Sequence, residues 1–124
     1  MSDGIILLGH GSRREEANEE IRTIAAMVAS KKQADFYETA FLSLSHPDLT
    51  EAAVRLVQKG VKRILITPVF LVTGNHIARD IPEEIAKLKA GYPQIEFVMS
   101  GHIGTHPGVA EIVKERIHEA LGKS

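Results

Sequence analysis

Five of the six histidines in this 124-residue chain follow closely on runs of apolar, strand-forming residues. His10 sits between Gly9 and Gly11 and leads into Ser12 and Arg13. His46 precedes Pro47, His76 follows Gly74 and Asn75 and leads to Arg79 and Asp80, and His102 and His106 stand near the C-terminal end. Neutral imidazole is a borderline-soft ligand for divalent Co, Ni, Fe or Zn, and it is also a base that titrates near neutrality. A group of imidazoles can therefore hold a metal ion, take up protons, or do both. The glycines flanking His10 allow a sharp turn and the close approach of a large flat ligand.

His10 and His76 are the leading candidates by position and loop context. His46, before a proline at a helix start, fits a local turn role better than a chemical one. His102 and His106 have the spacing of helical metal ligands, but Gly104 and Pro107 argue against a regular helix there, which leaves them as residues lining a site. His118 falls inside an amphipathic stretch and belongs on a helix surface. Asp80 is best placed as a helix cap, with Glu83 answering it three residues on, and a contact near His76 is its second role. Arg13, Arg14 and Arg79 are either solvated or suited to carboxylates on a ligand, which guanidinium recognises well. Ser12 lacks a G-x-S-x-G elbow, so a serine hydrolase is not indicated.

The elements that must position these residues are legible as four repeats of an apolar, β-prone run followed by helical periodicity, the pattern of βα units around a mainly parallel sheet. Strand runs are expected at Gly4 to Gly9, in "FYETAFLSLS", in "VKRILITPVFLV" and in "IEFVMS". In the second, Phe36, Ala40, Leu42 and Leu44 share a side. Pro68 in the third marks a bulge, a strand end or an edge. Helices are expected from about Arg14, in "HPDLTEAAVRLVQKG" up to a stop at Gly60, from Asp80, and from His106. The last should turn Val109, Ile112, Val113, Ile117 and Ala120 to one face. The expected fold is a three-layer α/β/α sandwich with a four-stranded, mainly parallel sheet, as a single domain over 1–124. In such sheets ligands bind beyond the strand C-termini, the edge at which the histidines gather.

Composition removes several function classes. A net charge of -1 offers no basic excess for nucleic acid or a membrane surface, so an anionic ligand must be caught locally. The absence of cysteine excludes disulfides and thiolate metal sites and fits a reducing cytoplasm. The opening "MSDGIILLG" lacks a basic region, and its apolar run is too short for a signal peptide or a membrane span.

The segments "LLGHGSR", "AFLSLSHPDLTEAAVRLVQKGVKRILITPVFLVTGNHIARDIP" and "GTHPGVAEIV" together resemble the class II, ATP-independent tetrapyrrole chelatases of the sirohydrochlorin cobaltochelatase and ferrochelatase group, in their short form. The resemblance implies a lyase that inserts Co²⁺, or alternatively Fe²⁺ or Ni²⁺, into sirohydrochlorin for cobalamin, siroheme or a nickel cofactor. It implies no nucleotide, and no Walker motif is present. It also implies a homodimer with two copies around one tetrapyrrole. Metal binding and proton abstraction fall on His10 and His76, and contact with the substrate on Gly9, Gly11, Ser12, Arg13, Gly74, Asn75 and Arg79. Many relatives carry a glutamate where this chain has Ser43. His46, three residues on, or a substrate carboxylate would then take part of that role, with Asp80, His102 and His106 as further accessory candidates.

Two other functions compete. A non-catalytic tetrapyrrole or metal carrier would keep the fold and the histidines without turnover. A flavodoxin-like phosphate binder could use the helix N-terminus after the first strand, but the acidic phosphoacceptor cluster of a receiver domain is missing.

Overall fold

The computed structural model describes residues 2–123, with the side chain of His76 outside the described set. The chain alternates strand and helix four times: β1 (Asp3–Gly9), α1 (Glu15–Ala29), β2 (Phe36–Phe41), α2 (Leu49–Gln58), β3 (Arg63–Pro68), α3 (Asn75–Gly91), β4 (Glu96–Met99) and α4 (Pro107–Ala120). The sheet order is β2-β1-β3-β4 and every pairing is parallel. The expected three-layer α/β/α architecture is present.

Side-chain alternation along the strands decides which helix covers which face. Ile6, Leu8, Ile64, Ile66 and Phe97 point to one side, where they form the main core with Leu49, Ala52, Ala53 and Leu56 of α2 and Ile81, Ile85 and Leu88 of α3. Ile5 and Leu7 point to the other side, against Ala25 and Val28 of α1. β1 is apolar on both faces because it is central and covered on both. Gly4 and Gly9 pair with Phe36 and Phe41 on one side, while Leu8 meets Pro68 on the other. Pro68 is thus the last residue of a central strand, so its missing donor interrupts no ladder.

Three expectations need correction. β2 stops at Phe41, because the chain then follows the exit of β1, with Leu42 N–H donating to Gly9 O (3.0 Å) and Ser43 N–H to His10 O (3.2 Å). Leu44 turns at φ 64 and is exposed, so the expected strand face does not reach it. Asp80 is not a cap: α3 begins at Asn75 with Gly74 at the N-cap, because Ile77 extends the stripe of Ile81, Ile85 and Leu88 back by a turn, and the helix absorbs Pro82. The side-chain capping box lies instead on α2, where Asp48 accepts from Glu51 N–H (2.8 Å) and Glu51 accepts from Asp48 N–H (2.9 Å). α4 forms where expected, and none of its residues is buried.

Candidate active site

β1 delivers His10 to the C-terminal edge of the sheet at the centre of the fold. Leu8 O accepts from Val69 N–H (2.8 Å) on the β3 side, and His10 O is held by Ser43 on the β2 side, so the residue is tied to both neighbouring chain exits. Gly11 then turns at φ +88, and a Cβ there would come within 1.7 Å of Ser43 O. Only glycine fits, which is the physical content of the second glycine in "GHG".

The imidazole of His10 is exposed on one face and stacked on the other against Phe70, with ring centroids 4.0 Å apart and planes inclined by 26°. Phe70 is 1% exposed and belongs to the core. Among the described residues, neither ring nitrogen of His10 has a hydrogen-bond partner. Metal-binding histidines usually donate their second N–H to a carboxylate or carbonyl. Among the described residues orientation comes from stacking, which leaves both nitrogens available.

His10 opens into a cleft of about 790 Å³. Gly11, Leu42 and Ser43 form its floor beside the histidine, the start of α2 contributes Asp48, Leu49 and Thr50, and α3 contributes Ile77, Asp80, Glu83 and Glu84. One wall is therefore acidic, and it faces the one histidine in the cleft whose side chain is described. A negative wall raises the local concentration of divalent cations and repels carboxylates.

The next loop is clamped from below. Asn18, 2% exposed on α1, accepts from Ser12 N–H and donates to Ser12 O, both at 2.9 Å, and also donates to Glu15 (3.2 Å). Ser12 Oγ in turn accepts from Arg14 N–H (3.0 Å). Ser12 thus shapes the turn. Arg13 is exposed beside it, and Arg79 is exposed on α3.

The remaining candidates are dispersed. Ser43 lines the cleft. His46 is exposed and not part of the lining, its Nδ1 2.7 Å from Glu51 Oε1. That hydrogen bond, and then the charge of Glu51, raise the His46 pKa from its ordinary value, while the Asp48 N–H and then His46 hold Glu51 below its own. His76 lies in the first turn of α3, next to Gly74 and Asn75, rather than in a loop. His102 is half-buried and lines a second cleft of about 170 Å³ together with Thr73, Ile77 and Met99. His106 is the N-cap of α4, with Nδ1 accepting from Gly108 N–H (2.9 Å). Among the described residues no three histidine or carboxylate side chains converge closely enough to hold a metal ion.

Sequence reasoning did not single out Phe70 or Asn18, and it assigned Asp48 and Glu84 no role. Asn18 carried a signal, being a polar residue on the buried side of α1 seven positions before Ala25. Phe70 continues the buried alternation of Ile64, Ile66 and Pro68, and nothing local marks it as the support of a histidine.

No helix among the described residues is long and apolar enough to cross a membrane. The model of the CbiX family matches residues 4–120. A sirohydrochlorin cobaltochelatase of Sulfurisphaera tokodaii is 32% identical over 121 residues, covering 98% of this chain and 96% of that protein. A chloroplastic sirohydrochlorin ferrochelatase of Arabidopsis thaliana is 32% identical over 120 residues, covering 97% of this chain and 53% of that protein. Among solved structures, the sirohydrochlorin chelatase SirB of Bacillus subtilis subspecies spizizenii in complex with cobalt matches with a TM-score of 0.89 and 31% identity, over 96% of this chain and 51% of that one. The chain thus spans about half the length of the plant and Bacillus proteins and nearly all of the archaeal one. The match over 4–120, the parallel sheet and the histidine at the end of its first strand agree: the chain belongs to the CbiX family.

Proposed function

We propose that this protein is an ATP-independent chelatase that inserts a divalent metal ion, Co²⁺ in first place and Fe²⁺ or Ni²⁺ as alternatives, into sirohydrochlorin in the cytoplasm. The observation that carries the proposal is the His10 imidazole, with neither nitrogen hydrogen-bonded among the described residues, in a cleft with an acidic wall.

Insertion exchanges two pyrrole N–H protons for one M²⁺. The metal must be bound well enough to be aimed and loosely enough to leave, which neutral imidazole without thiolate provides. Asp48, Asp80, Glu83 and Glu84 draw the cation toward His10 and disfavour entry of the substrate's carboxylates by that side. Exposed Arg13 and Arg79 receive those carboxylates, with Gly9, Gly11, Ser12, Gly74 and Asn75 as contacts from the two loops. His10 and His76 share metal delivery and uptake of the two protons. Two copies of the chain assemble around one macrocycle, which accounts for relatives with twice its length.

The test is anaerobic absorbance of the protein with sirohydrochlorin and Co²⁺, Fe²⁺ or Ni²⁺ in separate cuvettes, each against its uncatalysed control. Conversion at many turnovers per protein, nearly abolished in His10→Ala and in His76→Ala with the fold retained, is expected. A spectral change that only tracks protein concentration would make the protein a carrier.

A further inference from the structure

One half-buried histidine has no partner and no task in the site described above. His102 lies in the loop after β4, and among the described residues its ring makes no hydrogen bond, ion pair or stack. His46 is paired with Glu51, His106 with Gly108 N–H, and His10 with the face of Phe70. Polar groups withdrawn from water are ordinarily satisfied, so an unmatched imidazole on the wall of a cavity points to something that enters it.

The cavity is the second cleft, of about 170 Å³. Ile77 lines both this cleft and that of His10, so the two adjoin at the first turn of α3. Ile77 and Ile81 of α3 and Met99 of β4 give it apolar walls, and Thr73, Ser100 and His102 give it polar side chains. Ser100 Oγ already lies 3.1 Å from Thr67 Oγ1 and 3.0 Å from Gly101 O. Thr73 Oγ1 and the His102 ring have no partner among the described residues and are the two free donors. Their loops are pressed together: a Cβ on Gly104 would come within 1.8 Å of Leu71 O and 2.9 Å of His102 Cδ2. That close packing holds the His102 loop against the segment that leads to Thr73.

Charge then selects the occupant. Asp48, Asp80, Glu83 and Glu84 line the His10 cleft, whereas no Asp, Glu, Lys or Arg lines the His102 cleft. A cation is drawn to the first; in the second an anion meets two donors and no opposing carboxylate. The volume is below the roughly 300 Å³ of pockets that take drug-sized molecules, so the occupant is short.

We infer that the His102 cleft binds a short aliphatic carboxylate, its chain along Ile77, Ile81 and Met99 and its oxygens on Thr73 Oγ1 and the His102 ring. The acid is either a free small molecule or a side arm of the macrocycle, and in the second case the inference rests on the chelatase reading above.

The first arm of the test follows the imidazole signals of the intact protein by NMR during titration with sodium propionate, with sodium chloride and propylammonium chloride as controls. Propionate is expected to shift the His102 signal saturably, the signal being identified by its loss in His102→Gln, while the controls leave it in place. Thr73→Val keeps the shape and removes one donor, so propionate affinity should fall by about tenfold. Ala78→Leu brings bulk into the cleft from an exposed position on α3, keeps His102 and should abolish the shift. A His102 signal that propionate does not move, that moves equally with a control, or that still moves in Ala78→Leu overturns the inference. The second arm measures KM for sirohydrochlorin in the same variants. A rise of about tenfold in Thr73→Val and Ala78→Leu with kcat unchanged assigns the cleft to an arm of the substrate. An unchanged KM, with propionate still bound by the wild type, assigns it to a free acid. Protein that binds propionate but inserts no metal keeps the site and overturns the chelatase reading instead.

Discussion

His10 rests flat on Phe70, a core side chain that closes the sheet beneath the imidazole at a centroid distance of 4.0 Å. The stack fixes the ring plane without occupying either nitrogen. Phe70→Leu keeps an apolar core residue, so its stability cost should stay near 1.5 kcal/mol, but it frees the ring. We predict a kcat lower by roughly 10- to 100-fold with KM little changed, since misplacing a reacting group costs on that order. An unchanged kcat in steady-state insertion assays would show that the stack is packing alone.

Gly11→Ala tests the turn that aims the loop. Its Cβ would meet Ser43 O at 1.7 Å from a residue at φ +88, so backbone must move. We expect a loss of more than about 2 kcal/mol by chemical denaturation. A stable variant with wild-type activity would mean that the loop has another equally good path.

Asn18→Ala removes both hydrogen bonds that hold Ser12. Leaving those backbone groups unpaired costs about 2 kcal/mol. Asn18→Asp preserves the acceptor and loses the donor, so it should not rescue. Urea midpoints of the two variants check this, and full stability of the aspartate variant would refute the two-sided clamp.

The His46–Glu51 contact predicts a pH window for stability. His46 has a folded pKa above its ordinary 6.5, so its contribution is complete below 6.5 and is lost as pH rises through the folded value. Glu51 has a folded pKa below its ordinary 4.5, so its contribution is present above 4.5 and is lost as pH falls through the folded value. The difference in Tm between wild type and His46→Gln should therefore be largest between pH 4.5 and 6.5 and fade in alkaline buffer. A difference that grows with pH would reverse the assignment.

Arg13→Ala with Arg79→Ala should raise KM for sirohydrochlorin with a smaller change in kcat, because both residues are exposed and are assigned to the substrate's carboxylates rather than to the reacting centre. An unchanged KM would return them to solvent.

Local pattern in the sequence was enough to determine the four βα units and the arrival of His10 beside the sheet's C-terminal edge. Hydrophobic period is a property of neighbouring residues, and parallel strands put all their ends on one side. Only the tertiary structure decided which residues meet there. It began α3 a turn and a half before Asp80, because Ile77 finds the core. It paired the His46 ring with Glu51 and the His106 ring with Gly108 N–H, contacts that keep both away from a shared site. It set Phe70 under His10 and Asn18 under Ser12, across separations no short motif spans. It also left the regular apolar face of α4 uncovered, because periodicity specifies that a face must be buried and says nothing of what buries it.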